Sequence, residues 1–132
     1  MNETKKELLM TYIKSNVAPI LIDFEFPILD NTVLLSSSCE KEELVGTYNG
    51  NLYESPEWLK LIINNNSPSI LLIDSIDQIT KEEQLKFIEI LKYRKVSTFN
   101  LPESTIIIVT AKRINESTIN EEVYSLVAHI KD

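Results

Sequence analysis

Apolar residues recur at helical spacing over Glu3 to Asn16, with Leu8, Leu9, Tyr12 and Ile13 on one face and Lys5, Lys6, Glu7 and Lys14 on the others. This spacing predicts a helix ended by Asn16 and Pro19. Ala18 to Phe26 carries Ile20, Leu21, Ile22, Phe24 and Phe26, a run that suits a strand buried on both faces at its start and on one at its end, closed by Pro27. Asp30 and Asn31 supply turn chemistry before a second strand, Thr32 to Ser37, whose exit through Ser36, Ser37, Ser38 and Cys39 is small and polar. The acidic stretch Glu40 to Glu43 opens a middle part read as loop, with an Asn49-Gly50-Asn51 turn signal. Ser55 and Pro56 offer a cap and a first helical position for a helix to about Asn64, with Trp58, Leu59, Ile62 and Ile63 as its apolar stripe. The cluster Asn64 to Pro68 stops it.

Ser69 to Asp74 holds four consecutive aliphatics ending in an aspartate, the pattern of a central strand in a parallel sheet. Thr80 and Glu83 form a capping box for a helix running to about Tyr93, with Leu85, Ile88 and Leu91 at helical spacing. Thr105 to Thr110 predicts another buried strand, Glu116 to Ser125 a short helix and Leu126 to Ile130 a last strand. Alternation of strands and helices from Ser55 onward predicts an α/β fold, a three-layer sandwich with a mostly parallel sheet. No internal repeat or low-complexity linker interrupts it, and 132 residues suit a single domain.

Composition narrows the chemistry. Asp and Glu total 20 against 13 Lys and Arg, a net charge of −7, which opposes wrapping of nucleic acid or docking on an anionic membrane. No apolar run reaches the roughly 20 residues that span a bilayer. With no charged, apolar, small-residue signal at its start, the chain is expected to be a soluble cytoplasmic protein. Only Gly46 and Gly50 are glycines, where average usage of about 7% would give roughly nine, so every glycine-rich phosphate loop is excluded. Cys39 is the only cysteine and His129 the only histidine, which excludes an intramolecular disulfide, a structural zinc site and a second imidazole for a metal. A dyad of His129 with Cys39 or a serine would join residues far apart in sequence; a histidine at the end of the last strand is the simpler role.

The order and spacing of several segments resemble the AAA+ ATPases, and among them the MoxR-like branch, over roughly Thr32 to Ile130. Glu43-Leu44-Val45-Gly46-Thr47-Tyr48 is similar to the branch's leucine-glycine motif, and Ile70 to Asp77 is similar to the Walker B strand. Arg94 to Leu101 occupies the branch's insert, and Thr105 to Lys112 looks like the sensor 1 strand. The resemblance implies a truncated P-loop NTPase core without its helical lid, in which residues 1–31 are a divergent amino-terminal helix and strand.

The departures bear on function. A P-loop needs glycines, a lysine and a Ser or Thr, and no such stretch is present. Fewer than a dozen residues separate the strand at Ala18 to Phe24 from Thr32, too few for an ordinary parallel crossover, so Ile20 to Phe26 and Thr32 to Ser37 are expected to pair as a hairpin, or one of them to leave the sheet. Asp74 stands where the family's strand-end aspartate helps hold Mg²⁺, while Ser75 fills the place of the glutamate that activates water, and serine is no base at neutral pH. Lys112 stands where the family's sensor asparagine would meet the γ-phosphate, and an ion pair from Lys112 to Asp74 or Asp77 is expected. Neither Arg94 nor Arg113 falls near Tyr124 and Ser125, where the family places its arginine finger.

Asp74, Ser75, Asp77, Thr110 and Lys112 thus form a vestigial site, with no cofactor, metal or catalysis expected; Asp74 and Asp77 serve equally as a strand-end cap and a helix-start turn. The resemblance implies a non-catalytic regulatory module that binds a protein partner, such as an active ATPase, or assembles with itself. Candidate contact residues are Tyr48, Tyr53 and Trp58 in the middle segment and Tyr93, Arg94 and Phe99 in the insert, with core packing the plainer role for Trp58. Two other classes stay open: a nucleotide half-site completed by a partner chain, and an acidic inhibitor of a DNA-binding protein. Richness in Ile, Asn and Lys suggests an AT-rich coding source such as a low-GC bacterium or its phage.

Overall fold

The computed structural model describes residues 3–15, 18–26, 31–64 and 69–130, and side chains from residue 7 onward. In chain order the elements are α1 (Glu3–Ser15), β1 (Ile20–Ile22), β2 (Thr32–Ser36), α2 (Lys41–Val45), β3 (Thr47–Asn49), β4 (Leu52–Glu54), α3 (Glu57–Ile63) and β5 (Ile70–Asp74). Two 3₁₀ turns, Ile76–Gln78 and Glu83–Phe87, lead to α4 (Ile88–Tyr93), and β6 (Lys95–Val96), β7 (Phe99–Asn100), β8 (Ile106–Thr110), α5 (Glu121–Ser125) and β9 (Ala128–Ile130) follow. The breaking roles given to Asn16, Pro27, Asp30 and the residues 65–68 lie outside the described residues.

One five-stranded sheet, in the order β2-β5-β8-β1-β9, is parallel throughout and organises the fold. Successive side chains of a strand point to opposite faces, and this divides the core in two. Leu21, Val33, Leu35, Leu71, Ile73, Ile107 and Val109 face a layer built from Trp58, Leu59 and Ile62 of α3, Phe87, Ile90 and Leu91, and Val123 of α5. Ile20, Ile22, Ile70, Leu72, Ile106, Ile108 and Ile130 face the other way, onto Leu9 of α1, Phe26 and the partly buried Tyr12, Ile13 and Phe24. The α/β class and the helices on both faces agree with the sequence pattern.

The expected hairpin does not form. β1 and β2 both belong to the sheet, run parallel, and are separated by β5 and β8. The cause is burial. Ile20, Leu21 and Ile22 are apolar on both faces and at most 1% exposed, a condition met only inside the sheet, where β1 takes β8 and β9 as neighbours in the registers Ile20↔Ile108 and Ile20↔Ala128. β1 is also shorter than expected, because Asp23 leaves the ladder and Phe24 and Phe26 turn onto the α1 face.

Several other elements differ from expectation. The middle part is α2 followed by the β3–β4 hairpin, in which Tyr48 pairs with Tyr53 across a turn containing Gly50 at φ +66°. Gly46 joins them at φ +91°, and a Cβ there would run into the Glu54 carbonyl oxygen. α3 starts at Glu57, with Pro56 as its N-cap and no side-chain cap from Ser55. The Thr80 cap is present, its hydroxyl accepting from the Glu83 amide at 3.1 Å, but the first part of that helix is the 3₁₀ turn. α5 is confined to Glu121–Ser125 because Asn120 caps it, Oδ1 accepting from the Glu122 amide at 2.8 Å.

Gln84 ties the 3₁₀ turn to the α5 side. Fully buried, it donates from Nε2 to the carbonyls of Ile76 (3.2 Å) and Thr118 (2.7 Å), and Oε1 accepts from the Asn120 amide (2.8 Å). Orphaning buried polar groups costs about 1–3 kcal/mol each. Gln84→Leu is therefore expected to lower stability by roughly 3 kcal/mol in urea melts; a change within error would show these bonds to be replaced by solvent.

Candidate functional site

Ligands of open parallel sheets bind outside the carboxyl ends of the strands, and the residues singled out from the sequence converge there. Asp74 is the last residue of β5, and Thr110 the last of the neighbouring β8. The Thr110 hydroxyl donates to Asp74 Oδ1 (3.1 Å) and accepts from the Ser75 amide (2.9 Å), closing a ring across the two strands. Ser75 sits in the left-handed region, φ 58° and ψ 52°, because the chain must turn at once to sink Ile76 into the core. Ser37, leaving β2, holds that turn: its amide donates to the Asp74 carbonyl (3.1 Å) and its hydroxyl to the Ser75 carbonyl (2.8 Å).

Asp77 faces the start of the loop after β8. Its Oδ2 accepts from the backbone amides of Lys112 (3.2 Å) and Arg113 (3.1 Å). The expected ion pair is therefore replaced: no ion pair joins the Lys112 ammonium to Asp74 or Asp77 among the described residues, and the residue contributes its main-chain donor instead. A peptide N–H is fixed in place by the strand, whereas a lysine head on an exposed stem stays with water.

Asp74, Ser75, Thr110 and Lys112 line one cavity of about 470 Å³, within the roughly 300–1,000 Å³ range of ligand clefts. Its remaining walls were not singled out from the sequence: the carboxylates Asp23 and Glu25, and the apolar Phe24, Phe26, Leu34 and Leu72. Asp23 follows β1, so its strand-end position beside Thr110 was the one signal available, and only the sheet order reveals it. Its Oδ1 is shut off from solvent and has no hydrogen-bond partner. For a metal, Asp74 and Asp23 are the donors at hand, yet no group of three or more His, Cys, Asp or Glu side chains suited to a metal occurs among the described residues.

The interface candidates divide. Trp58 is 4% exposed and donates to the Leu44 carbonyl (3.0 Å), so it is a core residue that locks α3 to α2. Arg94 caps α4 at φ 53° and donates to the carbonyls of Pro102 (2.8 Å) and Thr105, tying the β6–β7 segment down from inside; burial lowers its pKa. Tyr48, Tyr53 and Phe99 do come together, Tyr53 lying 4.9 Å from the Tyr48 ring and 5.5 Å from the Phe99 ring, while Tyr48 bonds Ser97 of the β6–β7 turn (3.1 Å). Tyr48 and Phe99 stay exposed, as do Tyr93 and Leu52.

His129 is not brought to Cys39. Its Nδ1 meets the Tyr124 hydroxyl at 2.9 Å beside a second cavity lined by Ile114, Ile119, Glu116 and Glu121. Cys39 is buried just past the carboxyl end of β2, the edge strand opposite β9, near Lys86, and burial pushes its thiol pKa up, the reverse of an activated nucleophile.

The fold and site define an α/β protein with a five-stranded parallel sheet flanked by helices. No model of a known protein family matches the chain, and no curated protein matches it. Solved structures share the fold, among them the crystal structure of NtrX from Brucella abortus, with a TM-score of 0.57 at 13% identity over 99% of this chain. The chain spans 36% of that NtrX chain, and a likeness at this identity concerns the fold alone. No helix among the described residues is long and apolar enough to cross a membrane.

The left-handed Ser75 generates a test. A non-glycine residue there costs about 1 kcal/mol or more, and only its main chain is used by Ser37 and Thr110. Ser75→Gly is expected to keep or raise the melting temperature. A loss of stability comparable to that of Thr110→Val would show that the Ser75 side chain carries a contact of its own.

Proposed function

We propose that the chain is a catalytically silent relative of the AAA+ core that works by binding another protein. One observation carries the reading: the strand-end aspartates are engaged from within the protein, Asp74 by the Thr110 hydroxyl and Asp77 by two backbone amides, while Ser75 occupies the place of a base. A serine between two carboxylates cannot deprotonate water at neutral pH. A phosphate cradle would also need backbone amides turned outward by glycines, and both glycines, Gly46 and Gly50, lie at the β3–β4 hairpin.

What is left to such a domain is its surface. The paired hairpins present Tyr48 and Phe99 exposed at one side, and tyrosine is enriched where proteins meet. The cytoplasmic, regulatory and bacterial or phage attributes suggested by the sequence belong to this same reading. The cavity over Asp74 favours one second reading, a nucleotide half-site whose phosphate cradle a partner chain supplies.

Calorimetry with ATP, ADP and Mg²⁺ decides between them. The proposal expects no saturable heat at millimolar nucleotide, and no effect of Asp74→Ala on that result. Saturable, Mg²⁺-dependent binding lost in Asp74→Ala would contradict it.

A further inference from the structure

The two faces of the sheet are covered unequally. A parallel sheet is ordinarily buried on both sides, because each crossover lays a helix on one of them. Here α3, α4 and α5 pack on one face, while on the other α1 lies toward β9 and β1. The crossover from β1 to β2 would normally carry the helix that covers β5 and β2 on that side, and residues 23–31 are too few for it. The consequence is visible in β2: Val33 and Leu35 are buried on the covered face, while Leu34, pointing to the other, is 57% exposed. Beneath it runs the cavity of about 470 Å³, with Phe24, Leu34 and Leu72 as apolar wall and Asp23, Glu25 and Asp74 as carboxylates.

We propose that this cleft is the docking site for an amphipathic helix of a partner protein, seated where the missing crossover helix would lie. The inference rests on the protein-binding reading and names the partner's chemistry. A helix suits the place because the opening is on the face of the sheet, where side chains project, and an apolar stripe at i, i+3, i+4 and i+7 gives Leu34 the partner it lacks. Lys or Arg beside that stripe suits the rim, where three carboxylates stand against the single ammonium of Lys112. The exposed Glu25 carboxylate on that rim is the acceptor such a cation would meet first. The charge of −7 steers a basic helix inward from a distance.

The probe is a fluorescein-labelled peptide of about five helical turns with Leu at i, i+3, i+4 and i+7 and Lys on both flanks. It is compared by anisotropy with a twin carrying Glu for every Lys and with a scrambled Lys peptide. The Lys helix is expected to bind at least about tenfold tighter than either control. Leu34→Glu and Glu25→Lys are each expected to weaken it by about tenfold, with circular dichroism unchanged because both positions are exposed. Equal binding of the scrambled peptide, no binding of the Lys helix, or indifference to Leu34→Glu would overturn the proposal. So would a light-scattering mass of two chains that Leu34→Glu halves, since the occupant would then be a second copy. Titrating Mg·ATP into the same samples separates the two readings: saturable nucleotide binding contradicts the catalytically silent reading, whereas absence of both peptide and nucleotide binding contradicts only the helix.

Discussion

The short return from β1 to β2 is the constraint on which the rest of the structure depends. The two strands run parallel with β5 and β8 between them, so the chain must travel back along the sheet and three strand spacings sideways, roughly 14 Å in that direction alone. Residues 23–31, extended, reach about 30 Å; wound as a helix they would rise roughly 14 Å and could not also make the return. The connection is thus too short to lay a crossover helix over the sheet face. The exposed Leu34, the cavity beside it and the placing of Asp23 and Glu25 on its rim all follow from that one short connection.

The opposite face shows what full cover looks like. Trp58, Phe87, Ile90 and Val123 close it, and Gln84 joins the 3₁₀ turn to the start of α5 through carbonyl and amide partners at both ends of its amide. Between the two faces, at the carboxyl ends of the strands, polar groups are used to hold the backbone. Ser37 and Asp77 bond main-chain groups of a neighbouring segment, and Thr110 joins the Ser75 amide to the Asp74 carboxylate. Their arrangement secures a strained turn at Ser75, which is a structural task for residues that the resemblance reads as remnants of a catalytic edge.

Much of this was legible in the sequence where it depended on neighbours along the chain. The aliphatic run ending at Asp74, the β-branched run to Thr110 and the Thr80 cap all correspond to observed features, since periodicity and capping are local. Strand order is not local. A connection of fewer than a dozen residues points to a hairpin or a displaced strand rather than a parallel crossover, although the aliphatic triple Ile20 to Ile22 carries the signal of a central strand. Asp74, Ser75, Thr110 and Lys112 do line one cavity, but the pairing of Asp77 with main-chain amides rather than with the Lys112 head depends on loop geometry. Asp23, Glu25 and Leu34 share a cavity that exists only once the sheet order is known. Trp58 and Arg94 show the converse: an aromatic or a cation in a sequence does not reveal whether it faces water.

The central claim is that the described residues leave the sheet face over β2 uncovered at Leu34. Solvent paramagnetic relaxation on methyl-labelled protein measures it directly. The account predicts that the Leu34 methyls are broadened as strongly as those of the exposed Leu52, while those of Leu72 and Ile108 are spared. Leu34 methyls as protected as Ile108 would contradict it, and would mean that another part of the chain already covers the face.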